Sequence, residues 1–234
     1  MQARKRLKNE EFFHHYQPIY DIQTGTIVGH EGLFRMESQM DPEATFLHAK
    51  NEKKLYELDS RSIHKASFTY MKTGFSVRYR NLFLNVFPST ISNPMFLPLV
   101  KQIIHENGIL NKQLILEINE NEPFDYGVLK SSIAELKLMG IKIAIDDFGK
   151  GASSIQAIIE LNPDYIKLDK YFMKDITRSQ RKKEIIHQML HFCKKFNISL
   201  IAEGVEDHDS LDTLRKLGVK YAQGYLLGRP ALLS

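Results

Sequence analysis

Two adjacent aspartates, Asp146 and Asp147, stand where the β-branched run Ile141 to Ile145 gives way to the glycine-punctuated segment Phe148-Gly149-Lys150-Gly151. The run reads as a buried strand, and charges followed by glycines mark its C-terminal end. Two carboxylates side by side in a partly dehydrated site repel each other by several kcal/mol at an effective dielectric of about 20, and a divalent cation between them removes that cost. A lone Asp-Asp pair more often caps a turn than binds a metal. This pair has company: Glu31, Asn85, Glu117, Lys167, Glu203 and Gln223 occupy equivalent places, in or at the ends of other short apolar runs. Any one of them reads equally well as a cap or turn residue. Together they put five carboxylates in one concave mouth, which would repel strongly without metal. Hard oxygen donors with an amide and no convergent Cys or His favour Mg²⁺ or Mn²⁺ over zinc. Two divalent cations suit such a set better than one, because a pair of ions activates a water and stabilises the departing oxygen of a phosphate ester. Hydrolysis of a phosphodiester is the chemistry to expect.

The elements that would position these residues repeat along the chain. Phe13 to Tyr20 and Thr26 to Arg35 flank the turn Asp21 to Gly25, a gap too short for a crossover helix, so they pair as a hairpin. Pro42 to Met71 has helical spacing, with Phe46, Leu47, Leu55, Leu58, Ile63 and Phe68 as candidate core contacts. Strands follow at Leu82–Val86, Leu114–Ile118, Ile141–Asp147, Tyr165–Asp169, Ile198–Glu203 and Tyr221–Tyr225. Helices come between them at Met95–Asn107 with Gly108 as C-cap, Tyr126–Met139 closed by Gly140, Ser153–Leu161, Gln180–Phe196 and Asp209–Leu217. Eight strands and about six helices make an α/β fold, a modified (β/α)8 TIM barrel whose first strand is antiparallel. In such a barrel the strand ends converge on one mouth, where active sites lie.

With 234 residues and 43% apolar content the chain suits one domain, 11–234, behind a basic segment, 1–10, that includes Arg4, Lys5, Arg6 and Lys8. A net charge of +4 is too scattered to argue for a nucleic-acid polymer as partner. Cys193, the only cysteine, falls on the apolar stripe Ile185, Ile186, Met189, Leu190, Cys193, Phe196 and reads as a core residue in a reducing compartment. No apolar h-region follows the basic start and no membrane span is visible, so the expected location is cytoplasmic. The basic start could join an upstream regulatory domain, against which Met1 argues mildly. His187 and His191 stand at i and i+4 but lack a third ligand and read as solvated.

From Tyr16-Gln17-Pro18-Ile19 to Gln223-Gly224-Tyr225-Leu226-Leu227-Gly228-Arg229-Pro230 the sequence resembles the EAL family of cyclic di-GMP phosphodiesterases, with the signature present as Glu31-Gly32-Leu33. That resemblance implies a modified barrel that hydrolyses cyclic di-GMP to linear pGpG with two divalent cations. It implies Glu31, Asn85, Glu117, Asp146, Asp147 and Glu203 as metal ligands. Lys167, Glu203 and Glu206 would act on the attacking water, Gln17, Leu33, Arg35 and Gln223 would contact substrate, and Glu120 would anchor the loop after Asp147. A homodimer is compatible with it. Departures from the family pattern are Gly32 for alanine, Asn119 for threonine, and Lys150 and Ala152 in the Asp-Asp-Phe-Gly loop. Gly32 is expected to add backbone freedom beside Glu31, and Lys150 a cation near the metals. The rival reading is a catalytically silent EAL domain, a cyclic di-GMP receptor or protein-interaction module; a barrel hydrolase for another phosphodiester is a third. The complete set of acidic residues with Lys167 speaks against the silent form, which has no chemical need for it.

Overall fold

The computed structural model describes residues 12–38, 41–73, 80–118, 125–150 and 154–233. Glu120, Asn119, Ala152 and the basic segment 1–10 fall outside the described residues. Eight strands form a closed barrel in chain order: β1 (Phe12–Asp21), β2 (Thr26–Met36), β3 (Asn81–Val86), β4 (Leu114–Ile118), β5 (Lys142–Phe148), β6 (Tyr165–Leu168), β7 (Ser199–Ala202) and β8 (Tyr221–Ala222). β1 is antiparallel to both neighbours, β2 and β8, and the remaining pairs are parallel. The hairpin and the modified barrel expected from the sequence are both present.

The described helices are α1 (Pro42–Asn51), α2 (Leu55–Lys72), α3 (Pro88–Ile91), α4 (Phe96–Asn107), α5 (Tyr126–Leu138), α6 (Ser154–Leu161), α7 (Gln180–Lys195) and α8 (His208–Leu217). The stretch Pro42 to Met71, whose spacing suits one helix or two, holds two, and one short helix was not expected. Lys53 takes a positive φ of 57° and divides α1 from α2, and Pro88, whose missing N–H costs nothing in a first turn, starts the single-turn α3. Gly108 takes the left-handed conformation at the end of α4, as its position suggested.

Alternation along the strands determines what fills the barrel. Ile19, Phe83, Ile115, Ala144, Tyr165 and Ile201 point inward and pack into an apolar plug, with Val28 and Tyr221 against it. Residues on the other face of each strand join clusters beneath the helices, one reaching α2 to α6 and one reaching α6 to α8. Four apolar residues expected in the core are exposed instead: Leu47, Phe68, Ile185 and Phe196. The buried face of α1 is formed by Thr45 and Ala49, and that of α2 by Ile63, Ala66, Ser67 and Tyr70, so Leu47 and Phe68 lie outside those stripes. On α7, Ile186 and Cys193 take the buried positions, while His187 and His191 are exposed.

The hairpin is tied to α2 by buried polar contacts. Tyr16 donates its hydroxyl to the Ala66 carbonyl at 2.7 Å, His14 Nε2 lies 2.9 Å from Ser62 Oγ, and His30 Nδ1 lies 3.2 Å from Tyr70 Oη. Burial first, then the cations nearby, lowers the His14 pKa to about 3 and that of His30 to about 4. Both values lie below the unfolded value near 6.5, so the unfolded chain binds protons that the folded chain refuses. Their contribution to stability is therefore complete above pH about 6.5 and is lost as the pH falls from there, towards 4 for His30 and towards 3 for His14. Each histidine should cost about 2 kcal/mol by pH 5. Urea melts at pH 7 and 5 check this, and His14→Gln should flatten the dependence by about one proton; parallel curves for parent and variant would rule it out.

Candidate active site

Apart from Asp147, the polar residues of the barrel mouth stand in a strand or just past its end, two positions from a residue that faces the barrel interior. The pairs are Gly29 and Glu31, Phe83 and Asn85, Ile115 and Glu117, Ala144 and Asp146, Tyr165 and Lys167, Ile201 and Glu203, and Tyr221 and Gln223. In β1 the order is reversed, Gln17 before Ile19, because that strand runs the other way. A period of two residues thus lays a polar ring directly above the apolar plug.

At the centre of the ring is Lys167, whose side chain is 1% exposed. Its ammonium lies 2.9 Å from Glu117 Oε1, 2.9 Å from Glu203 Oε1, 3.0 Å from Asp146 Oδ1 and 3.3 Å from Glu31 Oε2. Burial alone would lower its pKa, but Asp146, Glu117, Glu203 and Glu31 outweigh burial and hold it well above the ordinary lysine value. One ammonium cannot satisfy four carboxylates. Burial, with Glu31 and Asp146 adding to it, pushes Glu117 well above the carboxylate range against the pull of Lys167. Burial, with Asp146 and Glu31, likewise pushes Glu203 up to about 8. Glu117 Oε2 is buried and has no hydrogen-bond partner among the described residues. A fully buried carboxylate oxygen left without a partner among hard oxygen donors fits a divalent cation.

The aspartate pair is presented by a bulge. Ile145 pairs with Ile166 and Phe148 with Leu168, so Asp146 and Asp147 together stand opposite Lys167. In an unbroken strand two neighbours would point to opposite faces. Here Asp147 takes a left-handed φ of 52°, and its carboxylate joins those of Asp146 and Glu203 in a group whose candidate ligand atoms all lie within 4.8 Å of one another. Lys167 does not hold Asp147. Its partner is Lys150, three residues on, with Nζ 3.2 Å from Oδ2. Burial and Asp146 raise the Asp147 pKa against that lysine.

A chain of amides closes the other side. Gln223 donates to Glu31 Oε2 at 2.7 Å and to Gln17 Oε1 at 2.9 Å, Gln17 donates to the Gly228 carbonyl at 3.0 Å, and Asn85 donates to Glu31 Oε1 at 3.2 Å. Gly224 is required next to Gln223: a Cβ there would lie 2.2 Å from the backbone N and O of Val205. Gly32 also makes room for a neighbour. Leu84 fills the space of the missing methyl, with Cδ2 2.7 Å from where a Cβ would stand.

The sequence-derived residues Glu31, Asn85, Glu117, Asp146, Asp147, Lys167, Glu203, Gln17 and Gln223 are thus brought to one mouth. Leu33 and Arg35 line an adjoining cavity of about 550 Å³, whose other walls include His14, Phe46, Lys50, Asp59 and Phe87. Glu206 is not brought into the ring. It is exposed and lines a separate shallow depression with Asp169, Lys170, Tyr171 and Lys174. Reasoning from strand ends missed the cavity walls supplied by α1 and α2, since nothing in their helical periodicity marks a face as lining a ligand. It named Lys150 without finding its partner, although the i, i+3 spacing from Asp147 was there to be read.

A protein-family model described as the EAL domain matches residues 1–230. A probable cyclic di-GMP phosphodiesterase of Escherichia coli strain K12, PdeI, is 34% identical over 237 residues, covering 96% of this chain and 29% of its own length. The cyclic di-GMP phosphodiesterase TpdA of Vibrio parahaemolyticus is 29% identical, covering 92% of this chain and 36% of its own. This chain therefore spans about a third of the length of these relatives. Among solved structures, Klebsiella pneumoniae BlrP1 in a calcium and cyclic di-GMP complex aligns with a TM-score of 0.88 at 25% identity, over 98% of this chain and 58% of that one.

Two predictions follow from the ring itself. Lys167→Met leaves four carboxylates without their ammonium and should destabilise the metal-free protein by about 3–5 kcal/mol. Thermal melting in EDTA reads this, and Mn²⁺ should restore a larger share of the loss in the variant than it adds to the parent; equal melting in EDTA counts against the electrostatic account. Gly32→Ala should cost about 1 kcal/mol by crowding Leu84. In a Leu84→Val background the same change should cost less than half as much, and strict additivity would refute the contact.

Proposed function

This chain belongs to the EAL domain family, and from that premise we propose that it is a metal-dependent phosphodiesterase that opens cyclic di-GMP to linear pGpG. The observation that supports the reading most is the single buried ammonium of Lys167 among Glu31, Glu117, Asp146 and Glu203. A silent binding module has no chemical reason to bury that much charge. Two divalent cations, Mg²⁺ or Mn²⁺, would be held by Glu31, Asn85, Glu117, Asp146, Asp147 and Glu203, and when bound they would supply Lewis acidity to the scissile phosphate and to water.

The chain's own residues do the rest. Lys167 would hold the attacking water from the floor of the mouth and help deprotonate it, and Glu203, whose carboxylate lies 2.9 Å from the lysine ammonium, would touch the same water. Arg35 and Leu33 line the adjoining cavity, where a cation and an apolar wall suit a nucleotide's phosphate and base. Gln17 and Gln223 restrain Glu31 and present amides to the substrate. Glu206 keeps its proposed role on the water only if substrate binding draws it inward from its exposed place, and Glu120 keeps its loop-anchoring role as a proposal. Residues 11–234 would form one catalytic domain behind the basic segment 1–10. We place it in the cytoplasm, with homodimerisation and an upstream regulatory segment as further parts of the proposal; no described helix is long and apolar enough to cross a membrane.

Purified protein with cyclic di-GMP and Mn²⁺ tests this, with pGpG read by chromatography. Turnover should appear with Mg²⁺ or Mn²⁺, vanish with EDTA and be poor with Ca²⁺, whose looser coordination misplaces the reacting oxygens. Lys167→Ala should abolish turnover while cyclic di-GMP binding in Ca²⁺ persists. Tight binding by the parent without any turnover in Mn²⁺ would overturn the enzymatic reading in favour of a receptor.

A further inference from the structure

Two lysines divide the acidic residues of the mouth between them. Lys167, locked in β6, holds four carboxylates and leaves Asp147. Lys150 takes that one from the turn after β5, where its backbone N–H donates to the Asp147 carbonyl at 3.1 Å and folds the side chain back so that Nζ lies 3.2 Å from Oδ2. The two cations differ in freedom: the Lys167 side chain is 1% exposed, that of Lys150 59%. Asp147 is also one of the three residues whose ligand atoms gather tightly enough to share an ion. A carboxylate cannot give its full charge to an ammonium and to a divalent cation at once, and the two cations repel each other.

We propose that Lys150 is a tethered competitor for the metal position at Asp147. Its ammonium neutralises Asp147 when no divalent ion is bound and must leave for the ion to bind. The displaced side chain has somewhere to go. Lys150 lines the cavity beside the ring together with Glu43 of α1, whose charge already acts on it. Occupancy at Asp147 therefore requires more metal than the carboxylates alone would demand, and the protein carries its own threshold for divalent ion. The inference rests on the metal-binding reading of the ring, and it makes Lys150 a positioning residue that acts through Asp147.

The test is a Mn²⁺ titration of the metal-stripped protein, followed by the electron paramagnetic resonance of the free ion, with no nucleotide present. Lys150→Gln should bind Mn²⁺ about threefold to tenfold more tightly than the parent at low ionic strength. The difference should narrow at about 0.5 M NaCl, where exposed charges are screened, and Lys150→Arg should track the parent. Tighter binding is an outcome that simple damage to the turn would not produce. A Lys150→Gln curve that overlays the parent, or lies on its weaker side, overturns the competitor role while leaving the metal site intact. Failure of the parent and both variants to bind Mn²⁺ overturns it together with the metal reading, so the two failures look different.

Discussion

A lysine buried among four carboxylates is the constraint on which this barrel depends. The ion pairs at Lys167 reach β2, β4, β5 and β7 from β6, so one side chain reports on the placement of five strands. Burying so much charge is costly unless the geometry is close to ideal and the surplus of carboxylate is met by something else. Burial first, and the neighbouring carboxylates Glu31 and Asp146 after it, push Glu117 and Glu203 above the ordinary carboxylate range against the pull of Lys167. A one-residue slip of any of these strands would turn its carboxylate away from Lys167, so the ion pairs and the register hold each other in place.

Much of this was legible in the sequence because a strand's period is two. Most polar site residues lie two positions from a plug residue, and a short apolar run interrupted by one acid or amide is visible without coordinates. The hairpin followed from the length of the connection between Tyr20 and Thr26, and Gln17 standing before Ile19, where every other site residue stands after its partner, agrees with a reversed first strand.

Other features were not legible, for physical reasons. The bulge at Asp146 and Asp147 is a property of pairing with Lys167, and no local signal separates it from an ordinary strand end. Leu47 and Phe68 fit a helical stripe on paper, but the faces that α1 and α2 bury are set by where they dock, and small residues such as Thr45, Ala49 and Ala66 won those positions. Glu206 follows Glu203 closely in sequence, yet the chain past the end of β7 turns at Gly204, which takes a φ of 71°, and three residues suffice to carry a carboxylate from the ring to the surface.

The barrel's seam has a consequence for how the molecule comes into being. β1 meets β8 through the pairs Tyr20–Ala222 and Asp21–Tyr221, and across the same seam Gln223 reaches Gln17 and Glu31, residues separated from it by 206 and 192 positions. Arg215 and Gln23 brace it further, donating to the carbonyls of Ile22 and Val219. Contacts so distant along the chain form late, since the loop between them must be closed before they contribute anything. On the ribosome the first hairpin can pack against α2 as soon as both have emerged, but the amide chain that restrains Glu31 has to wait for the last strand. A nascent chain arrested before β8 would already hold all five acidic residues of the mouth and Lys167 but would lack Gln223, so the restraint on Glu31 from across the seam is the last of the ring's contacts to be made.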